Sequence, residues 1–157
     1  MRKTAVRKIL RLIKARRPKN ASEFNKCGIP IRRVSEDQGI FRAVYKVTNC
    51  DLIIKFPKGP SGKLHTRDEV TRLKKLRKFG FMKPHLPTIH YYDPDNSVLV
   101  VDYCPKFTTH EKEADAMGAF IQKLIKAATR VSIADIHSEN VHKHVKRDDA
   151  IIIDAGY

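Results

Sequence analysis

From Pro30 to Phe56 the sequence runs as three short apolar stretches separated by turn chemistry, and this pattern limits the fold more than any other feature. Residues 31–34, 39–47 and 51–56 are rich in β-branched and aromatic side chains, divided by Ser35-Glu36-Asp37-Gln38-Gly39 and Thr48-Asn49-Cys50-Asp51. Stretches so short and so closely spaced favour an antiparallel meander, because a parallel pair needs a much longer crossover. After the break read at Pro57-Lys58-Gly59-Pro60, the recurrence of Val70, Leu73, Leu76 and Phe79 predicts one helix over 65–79. Pro84 and Pro87 mark a loop, and residues 88–92 and 98–102 pair as a hairpin across Asp93-Pro94-Asp95-Asn96. A second helix over 111–128, with Met117, Phe120, Ile121, Leu124 and Ile125 inward, precedes a polar loop around Asp135 and two short strands. The order predicts an α+β fold: an antiparallel sheet with one helix, then a smaller part built on the second helix.

With 157 residues the chain has room for one domain or for two small lobes sharing a cleft. Its formal net charge of +15 points to an anionic partner, whether nucleotide, nucleic acid or acidic protein, and says nothing of the fold. Cys27, Cys50 and Cys104 form no C-x-x-C pair, so neither a disulfide framework nor a zinc knuckle is indicated. No apolar run approaches the length of a membrane span, and the N-terminus lacks the apolar core of a secretory signal, which together predict a cytoplasmic protein. Residues 1–20 hold nine Lys or Arg and no acid, with Val6, Ile9, Leu10 and Ile13 at helical spacing. They predict a basic amphipathic helix ending near Pro18, whose apolar stripe packs on the protein body while its basic face stays in water. RNA, an anionic membrane or an acidic partner are the other uses such a helix has.

The chemistry is concentrated near the C-terminus. Asp135 is followed five positions later by Asn140, and Asp154 comes fourteen residues after that Asn, closing the apolar run Ile151-Ile152-Ile153. An Asp able to orient an attacking hydroxyl, together with an Asn and a second Asp offering hard oxygen ligands to Mg2+, is the equipment of ATP phosphotransfer.

With the preceding segments added, the sequence resembles the eukaryotic-like protein kinase superfamily over about residues 30–157, including its branch of aminoglycoside-phosphotransferase-like enzymes. The resemblance implies a two-lobed fold whose antiparallel N-lobe sheet carries one helix. Lys55, closing Leu52-Ile53-Ile54-Lys55, then looks like the strand Lys that holds the α and β phosphates of ATP. Glu69, in Asp68-Glu69-Val70-Thr71-Arg72-Leu73, looks like the helix carboxylate that fixes this ammonium. Val100-Val101-Asp102-Tyr103-Cys104 resembles the hinge, where backbone groups near Asp102 and Cys104 read the adenine edge. By the same resemblance Asp135 is catalytic, Asn140 and Asp154 hold Mg2+, and Gly39 belongs to the phosphate loop.

The sequence also departs from the family. Only Gly39 remains of three loop glycines, and Arg42 stands where the third is expected. Ile133 and Ala134 replace the His and Arg before the catalytic Asp, so control through a phosphorylated activation loop is not expected. His137 resembles the Asp-x-His loop of the small-molecule phosphotransferases. His142 and His144 read as surface residues of a basic strand. Because Tyr157 follows directly on Gly156, the C-lobe is expected to be severely truncated, with a dimer contact or a partner covering its exposed apolar surface. The expected division is a basic helix over 1–20, an N-lobe over 21–103 and a minimal C-lobe over 104–157. The function expected is transfer of the γ-phosphate to a hydroxyl of a protein serine or threonine, of the chain itself or of a small molecule. The competing expectation is a catalytically weak pseudokinase that serves as a basic binding or inhibitory module for a macromolecule.

Overall fold

The computed structural model describes residues 2–34, 40–105, 110–130, 140–143 and 149–152. Helix α1, Arg2–Arg16, ends just before Pro18, as the apolar spacing predicts. A short helix α2, Ala21–Lys26, follows, and it has a capping box. The Asn20 side chain accepts from the Glu23 amide at 3.0 Å, while the Glu23 carboxylate accepts from the Lys19 amide at 2.8 Å. This helix was not expected from the sequence, although the Asn-x-x-Glu spacing carries its signal.

Strands β1 (Ile31–Arg33), β2 (Arg42–Val47), β3 (Leu52–Pro57), β4 (Ile89–Asp93) and β5 (Val98–Asp102) make one antiparallel sheet in the order β1-β2-β3-β5-β4. The alternation of side chains along each strand gives the sheet two distinct faces. One carries Tyr45, Val47, Leu52, Ile54, Phe56, Val98 and Val100, which close a core with Ile13 of α1 and Phe24 of α2. Val6, Ile9, Leu10 and Leu12 pack against this cluster, so the apolar stripe of α1 is spent on the protein body. The other face carries Val44, Ile53, Lys55, Leu99 and Val101, because Val44 pairs with Lys55 and Lys55 with Leu99.

Helix α3 runs Gly59–Leu76, six residues earlier than the expected start at 65. The Gly59-Pro60 step read as a break is in fact its beginning. Pro60 sits in the first turn, where an amide would have no intrahelical partner, and Gly59 takes a φ of +67°. Gly62 sits where a Cβ would stand 2.2 Å from the Phe41 carbonyl oxygen, so close approach of helix to strand requires glycine there. That carbonyl accepts from the Lys58 amide at 2.7 Å, and the Phe41 and His65 rings stack with centroids 3.9 Å apart.

The chain divides into two compact units, residues 1–67 with 88–103, and residues 68–87 with 104–157. Within the second unit lie the 3₁₀ turn Gly80–His85, helix α4 (Glu111–Thr129) and the two-stranded ladder β6 (Val141–Lys143) with β7 (Ala150–Ile152). The His85 imidazole joins the turn to the ladder by donating from Nδ1 to the Ala150 carbonyl at 2.8 Å. The buried line of α4 is Ala114, Gly118, Ile121 and Ile125, whereas Phe120 is 50% exposed and Met117 and Leu124 are half-buried. The expectation that Phe120 points inward is therefore corrected. It followed apolarity alone, but the inward stripe turns on small residues that permit close packing, and Phe120 lies about 100° round the helix from Ile121. Its ring instead meets His85 edge-on at 6.4 Å.

Candidate functional site

Lys55 occupies the middle strand of the sheet, in register with Val44 on one side and Leu99 on the other, and only 7% of it is exposed. Its face is apolar around it, with Ile53, Leu99 and Val101 all buried. A lysine so enclosed is uncommon, because an ammonium loses hydration that an apolar neighbour does not return. Glu69 on α3 is fully buried as well. It stands one turn beyond His65, on the helix whose beginning is held to β2 through Gly62 and Phe41. Arg42, which replaces the expected third glycine, is buried at the start of β2 opposite Pro57.

The segment after β5 is held firmly by the rest of the chain. The Asp102 amide donates to the Thr88 carbonyl at 3.2 Å, and the Tyr103 amide to that of Asp51 at 3.0 Å. The Lys46 ammonium lies 3.9 Å from the centroid of the Tyr103 ring, a cation–π contact. Asp102 also uses its carboxylate within the sheet, accepting from the Thr88 amide and from His90 Nε2, both at 2.7 Å. Burial pushes this carboxyl up, but the hydrogen bonds from His90 and Thr88 outweigh it and hold the group below its ordinary value. The side chain of Asp102 is thus part of the β4–β5 framework.

Cys104 is buried, and its carbonyl accepts from Nδ1 of His142. The Lys143 amide donates to the Pro105 carbonyl at 2.9 Å, so β6 is fastened along residues 104–105. His142, expected on the surface, is half-buried and braces the backbone at Cys104. Nothing in an alternating His pattern announces such a contact, since its partner is 38 residues away.

Asn140 is half-buried and immediately precedes β6. In the antiparallel ladder Val141 pairs with Ile152. Asn140 therefore stands at the end of the ladder where β7 finishes. Asp154 itself, with Gly39, Asp135, His137 and His144, lies outside the described residues.

Neither a family model nor a curated protein matches the chain. Among solved structures it is similar to a choline/ethanolamine kinase family protein from Mesorhizobium loti, with a TM-score of 0.52, 17% identity, and coverage of 92% of this chain and 64% of that one. The chain has a protein kinase-like fold. A streptomycin–ATP–APH(2″)-IIa ternary complex is also similar, with a TM-score of 0.49 and 16% identity over 78% of this chain and 44% of that one. The chain spans less than two thirds of the length of either. The α+β class with an antiparallel sheet and one helix, expected from the sequence, is the one observed. Within this protein kinase-like fold Lys55 lies on the third of the five strands in both chain order and sheet order. Among the described residues no helix is long and apolar enough to cross a membrane.

Proposed function

We propose that the chain is an ATP-dependent phosphotransferase that moves the γ-phosphate to a hydroxyl. The observation that carries this reading is the buried ammonium of Lys55 on the middle strand of a protein kinase-like sheet. Burying an ammonium costs hydration that an apolar residue of the same shape would not lose, so a chain that keeps one there has a use for its charge. Lys55 takes the α and β phosphates, and Glu69 fixes its ammonium. The backbone around Cys104, braced by His142, meets the adenine. Gly39 lies in the phosphate loop.

Asp135 orients the acceptor hydroxyl and takes its proton as the acceptor oxygen bonds to the γ-phosphorus. The bond from that phosphorus to the β–γ bridging oxygen breaks, and ADP leaves. Asn140 and Asp154 offer an amide and a carboxylate oxygen, which suit Mg2+, an ion that neutralises phosphate charge when bound. Catalysis by this set is mostly positioning and charge neutralisation. The acceptor is a protein hydroxyl, one on the chain itself, or a small molecule.

Incubation with γ-labelled ATP and Mg2+, followed by mass spectrometry of the chain and of candidate acceptors, tests the reading. Labelled product is expected, and Asp135→Ala or Asp154→Ala should each cut it by more than about a hundredfold. Mg2+-dependent stabilisation by ATP without transfer would favour the pseudokinase alternative. Full turnover after either substitution would contradict the assignment.

A further inference from the structure

The basic face of α1 has no place in the phosphotransfer scheme, and the fold determines how it is presented. Arg7, Lys8, Arg11 and Lys14 are all exposed. At 100° per residue Arg7, Arg11 and Lys14 fall within about 60° of one another, with Lys8 beside them. Thr4 and Ala15 complete this face, and the first acidic residue of the chain is Glu23. At its C-terminal end the helix is pinned. The Arg17 guanidinium donates from Nη2 to Asp93 at 2.7 Å and to Asp95 at 2.6 Å, and from Nε to Asp93 at 3.3 Å. Four cationic side chains therefore project from a helix whose backbone is anchored to the protein, which lowers the entropy lost when a partner docks.

We propose that this outer face of α1 is a docking surface for the phosphodiester backbone of a nucleic acid. The chemistry of the helix separates three kinds of occupant. A membrane-inserting helix offers its apolar side to lipid, but Val6, Ile9, Leu10, Leu12 and Ile13 are packed into the protein. An acidic protein partner is usually anchored by large apolar or aromatic side chains, and this face displays only Thr4 and Ala15 between its charges. A phosphodiester chain needs neither: its affinity comes from cations that displace condensed counterions, and guanidinium groups such as those of Arg7 and Arg11 match phosphate in shape. The docking is indifferent to base sequence and independent of whether the chain transfers phosphate.

Fluorescence anisotropy of the full chain with a labelled random-sequence duplex, in DNA and RNA forms, tests this. With about four phosphates neutralised, affinity should fall roughly 150-fold between about 50 and 200 mM salt. The triple variant Arg7→Gln, Arg11→Gln, Lys14→Gln should weaken binding at low salt by more than about tenfold and flatten the salt dependence to about fourfold over the same range. Gln keeps helix propensity at exposed positions. Should the triple variant nevertheless melt early, Arg11→Glu alone is expected to weaken binding in the same direction. The matched variant Lys74→Gln, Lys75→Gln, Lys78→Gln removes the same charge from exposed positions elsewhere, and should change affinity less than about threefold. Equal losses in the two triple variants would reduce the effect to the general attraction of a chain of charge +15 and overturn the proposal. Capture by phosphatidylserine vesicles without binding to either duplex would overturn it in favour of a membrane surface.

Discussion

The outer edge of the sheet and its middle strand put buried charge to different uses. At the β4–β5 edge, Asp93 and Asp102 are wrapped in hydrogen bonds that tie pieces of the fold together. Asp93 receives the Arg17 guanidinium, the amides of Asp95 and Asn96, and the Asn96 side chain at 2.8 Å. On β3, Lys55 carries its charge in register with Val44 and Leu99, on the face turned away from the α1–α2 core. A buried charge whose removal would unravel a turn is framework. One set where the strand pattern calls for an apolar side chain is retained for what its head group does.

Lys55→Met breaks the comparison most directly, because methionine keeps much of the stem and discards the charge. Phosphate transfer should fall by more than about a hundredfold while the chain stays folded. Adding Glu69→Gln should recover any loss of thermal midpoint, because it removes the buried carboxylate that the ammonium is proposed to hold. A Lys55→Met chain that loses its fold, with no recovery on adding Glu69→Gln, would show that the Lys55 ammonium is framework as well, and the contrast with Asp93 would be lost.

Asp93→Ala is the converse, with a smaller effect on a different quantity. The substitution strips a buried acceptor from a turn and from the anchor of α1, and should cost about 2–3 kcal/mol of stability. In a chain of this size that lowers the thermal midpoint by several degrees. Burial pushes the Asp93 carboxyl up, but the Arg17, Asn96 and Asp95 hydrogen bonds more than reverse it, to about 2. The carboxylate therefore contributes fully above about pH 4, and its contribution is lost as pH falls toward 2. Calorimetry at neutral pH checks the cost. A loss under about half a kcal/mol would mean that the Arg17 anchor is surface decoration.

The same contrast explains what could be read from the sequence. The place of Lys55 on a strand was legible because the apolar run Leu52-Ile53-Ile54 leads directly into it. The antiparallel sheet was legible because turn chemistry is local. The framework role of the Asp102 side chain was not legible, since a carboxylate at a strand end looks the same in sequence whether it is free or engaged by His90. The Arg17–Asp93 pair was invisible for a related reason: its members are 76 residues apart, and only the assembled sheet brings them together. Where local signals were misread, as at Pro60 and in the Asn20–Glu23 capping box, the information was present and its grammar was missed.

Asp102→Asn has the smallest expected effect and sharpens the comparison most finely. The amide oxygen of Asn can still accept from the Thr88 amide, and its NH2 can donate to His90 once that ring presents an acceptor at Nε2. What is lost is the charge and its preference for a donating imidazole, so the cost at neutral pH should be about 1 kcal/mol. Since the native carboxyl titrates below its ordinary value of 3.8, its ionised form is favoured by folding. That advantage is fully present above about pH 4 and disappears as pH falls through the lower folded value, because parent and variant are then both uncharged at this position. Urea midpoints measured from neutral pH down to about pH 2 should therefore show two curves that lie apart above pH 4 and converge below it. Curves separated by the same interval throughout would mean that Asp102 acts by shape alone, and that the β4–β5 edge holds one charged tie, at Asp93, in place of two.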